Sequence, residues 1–292
     1  MDCIAIIPAR FDSERFPGKL LASLAGRPLI QHVVERCLAV PGLDATIVAT
    51  DDERIAKAAS SAGAEVAMTP ASFASGTDRV AHVAEQFPAD IIVNVQGDEP
   101  QLDPEALGAA LAEFRDGDVE LGTLRTALLE APDLWSPDVV KVVVENSGRA
   151  LFFSRAPIPF PRAQWCPQGT LHDPEVLERM PASFRQPALG RRPSHQESVK
   201  LAFAGSPRLP GPYWIHIGVY LYRRAALARW AALPPSPLEL LEGLEQLRVL
   251  EAGEVMQTYL ISEVTLAVNY PEDLERVRAA YTVSSAHPQE TA

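Results

Sequence analysis

The sequence predicts an α/β fold built on a mostly parallel sheet. Short apolar, β-branched runs alternate with helical patterns of about ten residues through the N-terminal part of the chain. Each of these runs ends in a polar loop carrying Gly, Asp or Arg. In a parallel sheet such loops share the carboxyl edge of the strands, where ligands bind. Strands and helices alternating in this way connect through right-handed crossovers.

Residues 4–7 form an apolar run, read as a strand buried on both faces. Residues 8–19 form a polar loop with Arg10, Arg15, Pro17, Gly18 and Lys19. Pro28 opens a helix in which Leu29, Ile30, Val33, Val34 and Cys37 recur at three- and four-residue spacing. A strand over 45–49 leads into Thr50-Asp51-Asp52, where a carboxylate caps a helix that stops at Gly63. A short strand over 65–68 precedes a helix over 77–86, opened by Ser75-Gly76. The β-branched strand 91–95 runs into Gln96-Gly97-Asp98-Glu99-Pro100, and Pro104 starts the next helix.

The second half is more mixed. Strands over 139–144 and 150–153 are joined by a turn at Asn146-Ser147-Gly148. A strand over 214–222, an amphipathic helix over 238–250, a strand over 256–261 and a helix over 271–281 follow. Residues 161–212, rich in Pro, Arg, Gln and Ser, break the rhythm as an insertion of the kind that forms lids or interfaces. The polar residues 282–292 read as a disordered tail. The elements make one domain over 1–281, interrupted by the insertion at 161–212.

The formal net charge of −12 leaves no global basic field for a phosphate backbone, which excludes nucleic acid as a partner. No stretch approaches the length of a membrane-spanning helix. Met1-Asp2-Cys3-Ile4 has no basic n-region, and the apolar run after it stops at Pro8 and Arg10. A cytoplasmic location and no membrane partner are therefore expected. Cys3, Cys37 and Cys166 have neither disulfide nor zinc spacing.

Three segments carry chemistry. Pro8-Ala9-Arg10 with Arg15-Phe16-Pro17-Gly18-Lys19 concentrates three cations in ten residues. Such a loop can wrap a triphosphate with backbone N–H groups and neutralise its charge. It can equally be a solvated basic loop around a structural Pro-Gly turn. Asp98, at a strand end, can hold Mg²⁺, which takes one or two carboxylates with phosphate oxygens and water, or it can cap the next turn. Ser75-Gly76-Thr77-Asp78-Arg79 can contact a nucleotide at a helix start, or serve as a plain N-cap.

These residues resemble the 3-deoxy-manno-octulosonate (Kdo) cytidylyltransferases, the CMP-Kdo synthetases. The family pattern I-I-P-A-R-x-x-S-x-R-x-P-G-K matches 6–19, A-T-D matches 49–51, S-G-T-[DE]-R matches 75–79 and V-N-V-Q-G-D-E-P matches 93–100. Later come V-K-V-V at 140–143, F-S-R-x-x-I-P at 153–159 and H-x-G-[IV]-Y at 216–220. S-P-L-E-x-x-E-x-L-E-Q-L-R-V-L follows at 236–250 and P-E-D-L-E-R-V at 271–277.

The resemblance implies a Rossmann-like nucleotidyltransferase fold with a small mixed β part for dimerisation and sugar binding. It implies a homodimer, CTP and an acidic keto-sugar as substrates, and Mg²⁺ as cofactor. The C2 anomeric hydroxyl of the sugar would attack the α-phosphorus of CTP in line, releasing pyrophosphate and giving CMP-Kdo for lipopolysaccharide synthesis. Another acidic keto-sugar, or a weakly catalytic nucleotide-binding homologue, is the alternative. Arg10, Lys19 and Asp98 are the implied catalytic residues. Ala9, Ser13, Ser75, Gly76 and Arg79 are the implied nucleotide-binding residues, with Ser13 on the triphosphate beside Arg10 and Lys19. Arg15, Gln96, Arg155, His216, Glu242, Glu245 and Gln246 are implied around the sugar acid. The family carries a second metal-binding Asp just before the P-E-D-L motif, and Asn269 stands there in this chain. Its amide oxygen can coordinate Mg²⁺ but adds no charge. The insertion falls between Arg155 and His216.

Overall fold

The structure is a computed structural model that describes residues 1–13, 15–73, 75–128, 131–160, 213–262 and 267–286. Its packing divides the chain into two units. Unit 1 comprises Met1–Leu124, Gly218–Leu233 and Tyr259–Ala292, and unit 2 comprises Arg125–Ile217 and Pro234–Thr258. The sequence predicts one domain over 1–281. Three of the four boundaries fall inside strands, and the fourth, between Leu233 and Pro234, falls in the Pro-rich loop 233–236.

Unit 1 begins with β1 (Cys3–Ala9), a small hairpin of β2 (Ser23–Leu24) and β3 (Arg27–Pro28), and α1 (Leu29–Leu38). It continues with β4 (Ala45–Thr50), α2 (Glu53–Ser61), β5 (Glu65–Met68), α3 (Gly76–Ala84), β6 (Ile91–Val95) and α4 (Pro104–Asp116). Strand β7 (Leu121–Ala127) starts in this unit. The order β5-β4-β1-β6 is parallel throughout, with Ile6 opposite both Ile47 and Asn94. Every residue of β6 is buried, and in β1 only Pro8 is not fully so. Helices cover such strands on both faces, and the sequence answers with unbroken apolar runs. The caps follow the sequence: the Asp52 carboxylate accepts from the Arg54 and Ile55 amides (2.8 and 3.3 Å), opening α2.

Unit 2 contains α5 (Ala131–Trp135), β8 (Lys141–Val144), β9 (Ala150–Ser154) and the start of β10 (Trp214–Arg223). β8 and β9 pair antiparallel, and Trp214 and Ile215 of β10 lie opposite Val142 and Lys141. The rest of β10 belongs to unit 1, antiparallel to β6, and runs into α6 (Arg224–Ala232). Unit 2 then adds α7 (Pro237–Glu242), α8 (Leu247–Glu251) and the first half of β11 (Gln257–Leu260). The chain ends in unit 1 with α9 (Pro271–Ala286). No helix among the described residues is long and apolar enough to cross a membrane.

β2, β3, β7, α5 and α6 lie where no element was predicted, and two predicted helices change. The helix expected over 238–250 is two short helices, because Gly243 takes φ +63 and closes α7 in a left-handed C-cap. The last helix runs to Ala286, so the polar residues 282–286 continue it rather than leave it. The insertion at 161–212 and residues 287–292 lie outside the described residues.

Candidate active site

In unit 1 the loop after β1 folds back on itself. The Phe11 carbonyl accepts from the amides of Ser13 and Gly18, both at 3.0 Å. Gly18 sits at φ +70, and a Cβ there would stand 3.1 Å from the Phe11 ring. Only glycine suits both the backbone and the close approach. The Arg54 guanidinium lies over that ring, 3.8 Å from its centroid. The fold-back starts a turn of 3₁₀ helix at Lys19, whose Nζ reaches Asp98 Oδ2 at 2.5 Å. Arg10 is exposed and has no ion-pair partner among the described residues. Ser13 is half-buried, Ala9 is buried at the end of β1, and exposed Arg15 lies over the Tyr270 ring at 5.4 Å.

Asp98 stands three residues past the end of β6. Its carbonyl accepts from the Val268 amide at 3.0 Å, which tethers the segment carrying Asn269 to the Asp98 backbone. The amides of Asn269 and Tyr270 both donate to Asp273 Oδ2 at 3.0 Å, fixing the entry to α9. The Tyr281 hydroxyl donates to the Pro100 carbonyl at 2.7 Å. The C-terminal segment therefore grips the Gln96-to-Pro100 loop at two carbonyls. Sequence reasoning gave no role to Asp273 or Tyr281. The signal for Asp273 was its place three residues after the N-cap Tyr270, the spacing of a capping box.

Gln96 donates to the side-chain oxygen of buried Asn94 at 3.2 Å. Ser75 and Asp78 form a reciprocal capping box, both bonds 3.1 Å. A Cβ on Gly76 would stand 3.5 Å from Pro8 and 4.0 Å from Gln96 Oε1, so the start of α3 sits at the carboxyl ends of β1 and β6. Its N–H groups and dipole favour an anion there. Arg79 is buried: Nη1 donates to Thr69 Oγ1 at 2.6 Å and lies 3.5 Å from Asp51. Its charge is engaged inside the unit, holding Asp51 and Thr69, neither of which the sequence reading had given a role.

In unit 2 the sugar-side candidates form a second group. Arg155 Nε and Nη2 donate to the carbonyls of Glu242 and Gly243 at 2.7 and 3.2 Å, and Nη1 to that of Pro137 at 2.7 Å. The Glu242 carboxylate accepts from Ser154 Oγ at 2.6 Å and from the Arg155 amide at 2.9 Å. His216 packs edge-on against Phe153, with centroids 5.0 Å apart. Burial pushes its imidazole down to about 3, so it is neutral at working pH. Glu245 is half-buried, and Gln246 is buried at the N-cap of α8. Lys141, which the sequence reading left without a role, is fully buried in this group. Burial pushes its ammonium down to about 7, with the Arg155 charge adding to the effect and Glu242 opposing it.

The residues present fit Mg²⁺. Among the described residues no group of three or more His, Cys, Asp or Glu side chains offers an all-protein cage. Asp98, 22% exposed in the loop after β6, with its backbone bonded to that of Val268 beside Asn269, offers the one or two ligands that Mg²⁺ takes alongside phosphate and water.

The sequence model of the family described as "Cytidylyltransferase" matches residues 4–257. A 3-deoxy-manno-octulosonate cytidylyltransferase of Syntrophotalea carbinolica is 43% identical over 280 residues, covering 96% of this chain and 98% of the relative. One from Geobacter sulfurreducens is 42% identical over 278 residues, covering 95% and 98%. The solved structure of a CMP:2-keto-3-deoxy-manno-octonic acid synthetase complexed with CTP superposes with a TM-score of 0.77 at 35% identity, covering 97% of this chain and all of that one. On full-length similarity of this extent, the chain belongs to the 3-deoxy-manno-octulosonate cytidylyltransferase family.

Proposed function

We propose that this enzyme transfers CMP from CTP to the C2 hydroxyl of Kdo and releases pyrophosphate. The observation that carries the reading is the Lys19–Asp98 pair, 2.5 Å apart at the carboxyl edge of parallel strands, with exposed Arg10 on the same loop as Lys19. A cation and a carboxylate so placed suit a polyphosphate and its divalent ion. The names of the relatives and the CTP of the solved neighbour support the substrate pair.

Arg10, Ser13 and Lys19 bind and orient the triphosphate, and Ser75 and Gly76 offer the N-terminus of α3 to the nucleotide. Arg79 acts one step removed, through Asp51 and Thr69. Mg²⁺ would be held by Asp98 and Asn269 and would supply charge neutralisation on the phosphate oxygens. Arg15, Gln96, Arg155, His216, Glu245 and Gln246 are the residues that the family resemblance assigns to the sugar acid. Glu242 supports Arg155, because its carboxylate already accepts two hydrogen bonds from Ser154 and Arg155. The protein's contribution is to hold two anions together and stabilise charge as it develops.

The substrates place the enzyme in the cytoplasm and its product in lipopolysaccharide assembly. The active form is a homodimer. Unit 2 leaves Leu240 and Leu241 73% and 82% exposed, apolar surface suited to a second copy. Light scattering at twice the 31.7 kDa chain mass supports this, and a monomer mass overturns it.

The test of function is pyrophosphate release with CTP, Mg²⁺ and Kdo, against a no-sugar control. Sugar-dependent release is the expected result. Absent release with CTP binding intact overturns Kdo as the substrate and directs the search to another acidic keto-sugar.

A further inference from the structure

Lys141 opens β8 with 0% of its surface exposed. An ammonium taken out of water is destabilising unless its donors are all satisfied. Here Nζ donates to the carbonyls of Ser136, Val139 and Arg155 at 2.8, 2.6 and 2.7 Å. Three donors meet three acceptors, and all three acceptors are backbone.

The location of those carbonyls gives the arrangement its meaning. Ser136 and Val139 bracket a turn closed by the Val139 amide on the Ser136 carbonyl at 3.3 Å. The Arg155 guanidinium bonds Pro137 inside that same turn. The third carbonyl belongs to Arg155 itself, which follows Ser154, the residue opposite Lys141 in the β8–β9 register. Lys141 thus ties the turn at 136–139 to the backbone of Arg155, while the Arg155 side chain ties that turn to the C-terminal end of α7.

We propose that Lys141 is a positioning residue for sugar binding: it fixes the backbone of Arg155, and through it the guanidinium. The inference rests on the reading of Arg155 as a sugar-side residue. Filling space alone asks for nothing that Met would not supply without burying a charge. The hydrogen-bonding head is what Met lacks, and one of its three bonds goes to Arg155.

Lys141→Met keeps the side chain's length and deletes its donors. The Michaelis constant for Kdo should rise about tenfold, with that for CTP and the thermal shift by CTP unchanged. Arg155→Ala is measured in parallel. Because Lys141 acts through Arg155, adding Lys141→Met to Arg155→Ala should raise the Kdo constant no further. A residue that only stabilised the fold would lower the melting temperature and leave the Kdo constant alone. Should Lys141→Met fail to fold, Lys141→Gln, with donors on a shorter arm, carries the same comparison. If Arg155→Ala weakens Kdo binding and a folded Lys141 variant does not, the positioning role is overturned while Arg155 keeps its own. If Arg155→Ala leaves the Kdo constant unchanged, the sugar-side reading falls and the positioning role with it. Additive losses in the double variant also overturn the proposal, since Lys141 would then act independently of Arg155.

Discussion

Asn269 sits one residue past a backbone tether to Asp98, where an aspartate would add a second charge. An amide oxygen is a neutral ligand, so the proposed Mg²⁺ site would rely on Asp98 for its fixed negative charge. Asn269→Asp should lower the Mg²⁺ concentration for half-maximal activity several-fold, and an unchanged titration would remove Asn269 from the metal. Asp98→Ala should abolish turnover, and near-normal pyrophosphate release would strike Asp98 from the site. His216 makes a different prediction, about stability. Its folded value of about 3 lies below the ordinary 6.5, so in that window the unfolded chain binds more protons. Stability from this group is therefore full above pH 6.5 and falls as the pH drops, by about 2 kcal/mol at pH 5. His216→Gln should flatten that acid limb in urea titrations at pH 5 and 7; an unchanged slope would mean the imidazole is not held neutral. Lys19 and Asp98, which the structure pairs, each stood out in the sequence because each sits in a short motif whose chemistry is local. Tyr281 was not: its partner Pro100 is 181 residues away, and a tyrosine late in a helix gives no sign of it.

At the scale of elements, apolar periodicity reports which face is buried but not where the backbone turns. Residues 238–250 keep a helical pattern across Gly243, yet the backbone there is left-handed, with the Gly243 amide on the Glu239 carbonyl at 2.7 Å. Strand β7 escaped for the opposite reason. Gly122 weakens its pattern, and that glycine is explained only by Tyr259 and Phe114, which a Cβ would meet at 2.9 and 3.2 Å. The four parallel strands were plain because burial on both faces made them unbroken apolar runs. Gly243 yields a clean test. A Cβ there would lie 4.0 Å from Arg155 Nε, an ordinary contact, so Gly243→Ala meets a backbone penalty without a clash. It should cost about 1 kcal/mol in urea unfolding. A loss several times larger would mean that the Arg155 contacts at the end of α7 were displaced too.

For the whole molecule, three of the four crossings between the units run through strands. Leu124 and Arg125 are adjacent in β7, Ile217 and Gly218 in β10, and Thr258 and Tyr259 in β11. Unfolding unit 2 alone would have to stop partway along three strands, leaving their other halves in place. A partly unfolded state of that kind keeps the entropy loss of the ordered half while exposing the ladder ends. Calorimetry should therefore show one transition, with calorimetric and van't Hoff enthalpies equal. CTP with Mg²⁺ tests the same coupling from the site. The residues proposed for the triphosphate, Arg10, Ser13 and Lys19, all belong to unit 1, so on that reading ligand stabilises that unit directly. At a hundred times its dissociation constant, CTP contributes about 2.7 kcal/mol. If the strands couple the units, the single transition moves up as a whole by several degrees. Two transitions, of which CTP moves only one, would instead mean that each unit folds on its own and that the shared strands are joined by sequence without being joined in stability.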